Sequence, residues 1–311
     1  ETCGIKMSPY IGKCDYDGAG HAFQTMYGSD LTIGTAIASN LHEFDQTEFF
    51  TGSSTSIDDR GFVYIPTACA DGAKECKLHI SYHGCLQDYD DIGDDWAVNT
   101  GYNAWAESND IIVVYPYAKA DRSLGNANAC WDWWGYTGAD YVQKSGVQMK
   151  FSYGVLQRII GDSFDGDDDT PSTDDTPTTD DTPPTTDDAD DGTLMTLKSH
   201  NITTGGVTVS GLSSGGFMAV QMHVAYSSLF DGVGVFAGGP YYCALGSLTF
   251  AEELCMYDLM GGPKTDDLIA YTNQQATKGT IDATSNMADD KVYVFSGSKD
   301  TTVYPNVVKT L

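Results

Sequence analysis

Basic residues are scarce in this chain: 16 lysines and arginines stand against 44 aspartates and glutamates in 311 residues, a formal net charge of −28. Such a surface repels phosphate backbones and excludes nucleic acid as a partner. No run of eighteen or more apolar residues occurs, so no membrane-spanning helix is expected. A leader peptide is lacking and the first residue is Glu1 rather than methionine, which predicts a processed form or a fragment. The C-x-x-C spacing of zinc sites is missing too, although there are eight cysteines.

What is present is a chain rich enough to fold. Hydrophobic residues make up 41% and aromatics 12%, sufficient for one large α/β domain or two small ones. Much of the charge is local: 13 aspartates and no base lie between Asp162 and Asp191, leaving −15 for the rest. These aspartates lack the D-x-D-x-D-G spacing of a calcium loop and read as a solvated, self-repelling stretch. The cysteines fall in close pairs, Cys3 with Cys14, Cys69 with Cys76, and Cys243 with Cys255, which leaves Cys85 and Cys130 for a longer loop. Spacing does not prove connectivity, and zinc ligation is the rival arrangement. Four disulfides in an oxidising compartment are the expectation. The acceptor triplet Asn201-Ile202-Thr203 fits a secreted protein.

The segment 163–193 carries an irregular Thr-Asp-Pro repeat, DDTPSTDDTPTTDDTPPTTDD, with almost nothing to pack. It cannot offset its ordering entropy and is expected to be a disordered linker. Linkers usually separate domains, but the strand pattern here argues otherwise. Before the linker, strands are predicted over 61–66, 77–82 and 111–115, followed by a helix over 147–160. After it come a strand over 207–210, a helix over 216–226, and strands over 233–237 and 291–296. The short β-branched runs at 111–115 and 233–237 suit buried parallel strands, and their alternation with helices indicates a doubly wound sheet. Neither flank has enough strands alone. The expectation is one α/β-hydrolase-type, mostly parallel sheet assembled from segments 1–162 and 194–311.

Gly211-Leu212-Ser213-Ser214-Gly215 is a G-x-S-x-G pattern between a predicted strand and a predicted helix, the context of a nucleophile elbow. Glycines flank the serine because the turn is strained and neighbouring backbone comes close. The helix N-terminus beneath it favours a developing oxyanion. A Gly/Ser-rich turn without chemistry is the alternative. Ser81-Tyr82-His83-Gly84-Cys85-Leu86-Gln87 ends another apolar strand, where an H-G turn can present a backbone N–H to the same oxyanion. The expected donors are the amides of Cys85 and Ser214. His83 is read as ordering its own turn rather than as a general base. In Ser296-Gly297-Ser298-Lys299-Asp300-Thr301-Thr302, after a late strand, Asp300 stands where a triad acid belongs. A turn aspartate capping Thr302 is the competing reading.

The runs YHGCLQDYDDIG, NTGYNAWAESNDIIVVYPYA, ACWDWWGYTG, VSGLSSGGFMAVQMHVAYSSLFDGVGVFAGGPYYCA and VFSGSKDTTVYPNVV together resemble the secreted polyhydroxybutyrate depolymerases and their esterase relatives. The likeness covers nearly everything outside the linker. It implies hydrolysis of the ester bonds of a polyester such as poly(3-hydroxybutyrate), or of small esters, through an acyl-enzyme and without a cofactor or metal. It further implies Ser213 as nucleophile, Asp300 as triad acid, Cys85 and Ser214 as oxyanion donors, and Trp131, Trp133 and Trp134 near the active-site mouth. A buried core role competes for at least one of these tryptophans. A feruloyl or acetyl esterase shares the elbow and acid and differs only in its pocket.

The order of the pieces is that of an ordinary hydrolase, whereas the fungal-type depolymerases look circularly permuted: elbow and acid first, then the histidine segment, then C…SPYI..C.YDGAG. That last motif opens this chain, from Cys3 to Gly20. The family's histidine follows the acid by some thirty residues, and this chain stops eleven residues beyond Asp300. The six histidines present, His21, His42, His79, His83, His200 and His223, are poor substitutes. A piece of a tandem array is the favoured explanation, and a permutant cut before its histidine the other. A catalytically dead polymer-binding module is the expectation from a different functional class.

Overall fold

The computed structural model describes residues 7–52, 54–161, 194–259 and 261–311. The expected linker, 163–193, and Cys3 of the expected Cys3–Cys14 pair lie outside the described residues. Seven strands form one mixed sheet: β1 (Leu41–Asp45), β2 (Arg60–Tyr64), β3 (Cys76–Tyr82), β4 (Ile111–Tyr115), β5 (Ile202–Leu212), β6 (Gly232–Phe236) and β7 (Lys291–Phe295). Their spatial order is β1-β2-β4-β3-β5-β6-β7. β2 runs against both neighbours, and the other strands are parallel. The pairing of β3 with β5 sets Ile80 opposite Val209 and Tyr82 opposite Gly211, so strands from either side of 162–193 are hydrogen-bonded neighbours. This mostly parallel sheet with flanking helices is an α/β-hydrolase-type fold, with the sharp strand-to-helix turn of that class at its centre.

The helices among the described residues are α1 (Gly18–Tyr27), α2 (Tyr89–Ile92), α3 (Asp95–Asn99), α4 (Tyr102–Asn109), α5 (Val147–Ile160), α6 (Ser214–Ala225), α7 (Leu248–Cys255), α8 (Thr265–Lys278) and α9 (Pro305–Val308). They pack on both faces of the sheet. On one face Leu78, Ile80, Val207, Val209, Val233 and Val235 pack under α5 and α6. Every residue of β4 is fully buried, as a central parallel strand requires. On the other face the central part of β3, β5 and β6 carries small or polar residues, His79, Ser81, Thr208, Ser210, Gly232 and Gly234. This lets α1 approach closely: a Cβ built on Gly232 would stand 3.1 Å from Met26, and one on Gly234 would stand 3.5 Å from Ala22. Asp17 caps α1 by accepting from Gly20 N at 2.8 Å and from Trp105 Nε1 at 2.8 Å, pinning α1 to α4.

The two edges of the sheet differ. The β1 edge is covered by Met195, which exchanges backbone hydrogen bonds with Glu43 and Asp45. At β7 the side chains of Val292 and Val294 are 50% and 42% exposed. Three disulfides tie the described residues: Cys69–Cys76, Cys85–Cys130 and Cys243–Cys255.

Candidate active site

Ser213 sits between the end of β5 and the start of α6 with φ 56° and ψ −119°, a conformation that costs a non-glycine residue of order 1–3 kcal/mol. Its surroundings enforce that conformation. Ser213 N donates to Phe236 O at 2.8 Å, and Phe217 N donates to Ser213 O at 3.0 Å. A Cβ on Gly211 would strike the backbone of Gly215, and one on Gly215 would strike the carbonyl oxygens of Tyr82 and His83. Both glycines are therefore dictated by backbone crowding, as the G-x-S-x-G pattern implies. Although Ser213 occupies the N-cap position of α6, its side chain makes no capping bond. Ser213 is half-buried, and no hydrogen bond of its hydroxyl occurs among the described residues.

The H-G turn lies against this elbow: a Cβ on Gly84 would be 3.3 Å from Leu212 O and 3.4 Å from Ser213 Cβ. Within the turn, the amides on either side of residue 85 are spoken for. Gly84 N donates to Gln87 Oε1 at 2.7 Å, and Leu86 N donates to Asn128 O at 2.8 Å. The N–H of Cys85 has no acceptor among the described residues. The Cys85–Cys130 disulfide holds it in place, and Asn126 locks Cys130 by bonding both its N–H and its C=O, at 2.9 and 2.8 Å. Ser214 N–H is the first of α6 and so has no acceptor within the helix. Two uncommitted amides thus border Ser213, at a helix N-terminus where the dipole favours negative charge.

Asp300 follows β7 in a turn closed by Asp300 N donating to Gly297 O at 2.9 Å. Its Oδ1 accepts from Thr302 N at 2.8 Å and Val303 N at 3.2 Å, the capping role weighed from sequence. Those bonds use one carboxylate oxygen.

None of the six histidines hydrogen-bonds Ser213 or Asp300. His83 is fully buried: Nδ1 donates to Gly84 O at 2.7 Å and Nε2 accepts from Ala118 N at 3.0 Å. Burial pushes its pKa down to about 4, so it is a neutral turn-former with both nitrogens occupied. His79 is buried between Thr208 and Ser210, with a pKa pushed down to about 3 by burial. His200 Nδ1 donates to Cys69 O at 3.2 Å. His42 belongs to β1, and His21 stacks on Tyr16 with centroids 5.0 Å apart. His223 bonds Asp290 near the far end of α6, about 15 Å from Ser213 by helical rise.

The three tryptophans are buried to different ends. Trp131 is 0% exposed and belongs to the core under α5 and α6; its backbone N–H donates to Ser214 Oγ at 3.3 Å. Trp133 stacks on Phe217 of α6 at 4.1 Å between centroids, and Trp134 packs on Tyr136. Sequence reasoning missed Gln87, which accepts from Gly84 N and donates to Pro9 O at 2.9 Å, clamping the turn to the N-terminal segment. Its place three residues past Gly84 in the HGCLQ run was the available signal.

No family model matches the chain. Over 169 residues it is 39% identical to a polyhydroxybutyrate depolymerase of Talaromyces funiculosus, covering 51% of this chain and 49% of that one. Over 164 residues it is 40% identical to a poly(3-hydroxybutyrate) depolymerase of Delftia acidovorans, covering 51% and 31%. The chain is similar to polyhydroxybutyrate depolymerases. The crystal structure of the depolymerase from Penicillium funiculosum matches with a TM-score of 0.48 and 40% identity, covering 52% of this chain and 53% of that one. The chain spans about half the length, or less, of the curated relatives it matches.

Proposed function

We propose that the chain is a secreted serine ester hydrolase acting on a polyester such as poly(3-hydroxybutyrate), with segments 7–161 and 194–311 forming one catalytic unit. The observation that carries this reading is the strained conformation of Ser213, with the Cys85 turn packed against it. In the proposed reaction Ser213 Oγ attacks the ester carbonyl, and the oxyanion accepts hydrogen bonds from the amides of Cys85 and Ser214. Collapse expels the alcohol and leaves an acyl-serine, which water then hydrolyses. Asp300 would orient and stabilise a histidine through its second carboxylate oxygen. The similarity to depolymerases supports the substrate class, and the three disulfides support secretion.

The general base is not one of the six histidines of this chain, so hydrolysis by residues 1–311 alone is weak. Removing a triad base leaves about 10³- to 10⁴-fold catalysis over water from binding and the oxyanion hole. The placement of those histidines also favours a second reading, a polymer-binding module without turnover. Clearing of a polyester granule suspension, compared with release from p-nitrophenyl, acetyl and feruloyl esters, tests the proposal. Slow hydrolysis that vanishes in Ser213→Ala supports an enzyme. Granule binding with rates identical in wild type and Ser213→Ala supports the binding module.

A further inference from the structure

On the face of the sheet covered by α1 and α4, a run of buried hydrogen bonds has directions fixed from its end. Tyr27 Oη donates to Leu78 O at 2.9 Å and so accepts from Thr208 Oγ1 at 2.6 Å. Thr208 Oγ1, its own proton committed, accepts from His79 Nδ1 at 2.7 Å. Neutral His79 then has a bare Nε2, which accepts from Ser210 Oγ at 2.8 Å, and Ser210 accepts from Tyr102 Oη at 2.7 Å. Each of these protons has one destination. Ser81 Oγ, two residues past His79 on the same face of β3, is different: Ser81 is 0% exposed, and its hydroxyl has no hydrogen-bond partner among the described residues.

Ser81 lines a cavity of about 140 Å³ whose walls include Ala19, Trp96, Tyr102, Leu212 and Phe236, with part-exposed Ile11 beside them. Among the described residues, no charged side chain lines it. A buried hydroxyl left without a partner is destabilising, and a ligand oxygen in the cavity would satisfy it. An apolar cavity of about 150 Å³ takes a guest the size of benzene, which sets the scale at roughly six heavy atoms. An ionised guest would lose its hydration with no counter-charge to replace it.

We propose that this cavity is a binding site for a neutral short-chain aliphatic molecule with one oxygen function, held by a hydrogen bond to Ser81 Oγ. Gly211 and Leu212 line the same cavity, so the guest lies against the end of β5, immediately before Ser213. The site stands independently of whether Ser213 is a nucleophile.

Titration of the whole chain with butan-1-ol, followed by backbone amide NMR, tests the proposal, with butyrate and butylammonium as charged equivalents. Saturable shifts at Gly211 and Leu212 are expected with the alcohol, and binding at least about tenfold weaker with either ion. Ala19→Leu, which fills the space, should abolish the shifts. Ser81→Ala, which keeps the space and removes the hydrogen bond, should weaken binding about three- to tenfold. If Ala19→Leu does not fold, Ser81→Ala and the charged equivalents decide alone. Non-saturating shifts, equal binding of butyrate, or unchanged affinity in Ser81→Ala would each overturn the proposal.

Discussion

His223 Nε2 and Asp290 Oδ2 lie 2.8 Å apart in a buried pair near the C-terminal end of α6, away from Ser213. Asp290 immediately precedes β7, so the pair sits where the parallel strands begin, whereas Ser213 sits where β5 ends. Burial outweighs the adjacent carboxylate and holds the imidazole below its ordinary pKa. The pair has the chemistry of a catalytic dyad in the wrong place, and its role is to fasten α6 to the sheet.

Replacing His223 by alanine should therefore cost stability and not chemistry. Leaving the Asp290 carboxylate without its donor is worth roughly 2 kcal/mol. Denaturant unfolding should report that loss, while the rate of p-nitrophenyl ester release per folded molecule stays unchanged.

His79 makes the stability depend on pH. Its folded pKa is about 3 against an ordinary 6.5, so below pH 6.5 the unfolded chain binds a proton that the folded chain refuses. Stability from this group is present above that value and falls by about 1.4 kcal/mol per pH unit as the solution is acidified. Compared with His79→Gln, the wild type should lose its advantage at that slope in denaturant titrations between about pH 6.5 and pH 4.

The elbow makes a sharp prediction about glycine. A Cβ at Gly215 meets the fixed carbonyls of Tyr82 and His83, whereas one at Gly297 meets nothing closer than 3.9 Å. Gly215→Ala should destabilise by about 3 kcal/mol or more, through backbone that cannot move aside. Gly297→Ala should stay within about 0.5 kcal/mol of wild type in the same unfolding assay.

The Cys85–Cys130 disulfide closes a loop of 45 residues. Chain entropy assigns such a closure roughly 4 kcal/mol. In Cys130→Ala the loss of stability should be accompanied by a fall in kcat, because the Cys85 amide is no longer held beside Ser213. A drop in thermal midpoint with kcat untouched would remove that amide from the proposed oxyanion hole.

The elbow was legible because its signal is local: a β-branched run, two glycines fixed by crowding, and an apolar helix follow one another within twenty residues. The strand Ile111–Tyr115 and the helix Val147–Ile160 were legible for the same reason, each a continuous apolar or periodic segment. β5 begins earlier than its pattern indicated, because Gly205 and Gly206 interrupt the run while Ile202 pairs with Cys76. β1 gave no signal: its one buried residue is Phe44, and the Met195 that covers it lies 151 positions away. The antiparallel course of β2 and the close seating of α1 over Gly232 and Gly234 also depend on distant partners. At the site, Ser213 and the Cys85 turn could be read from motifs. His83 was also read there as ordering its own turn, as its bond to Gly84 O shows. The Gln87 clamp and the engagements of the other five histidines could not be read, since each depends on what folding brings beside it.

The most direct test of the account is peptide mapping of the chain after exposure to a fluorophosphonate. One slow adduct is expected on the peptide carrying Ser213, faster when free imidazole is supplied as a base, and no adduct in Ser213→Ala. An unlabelled Ser213 at every imidazole concentration would contradict it.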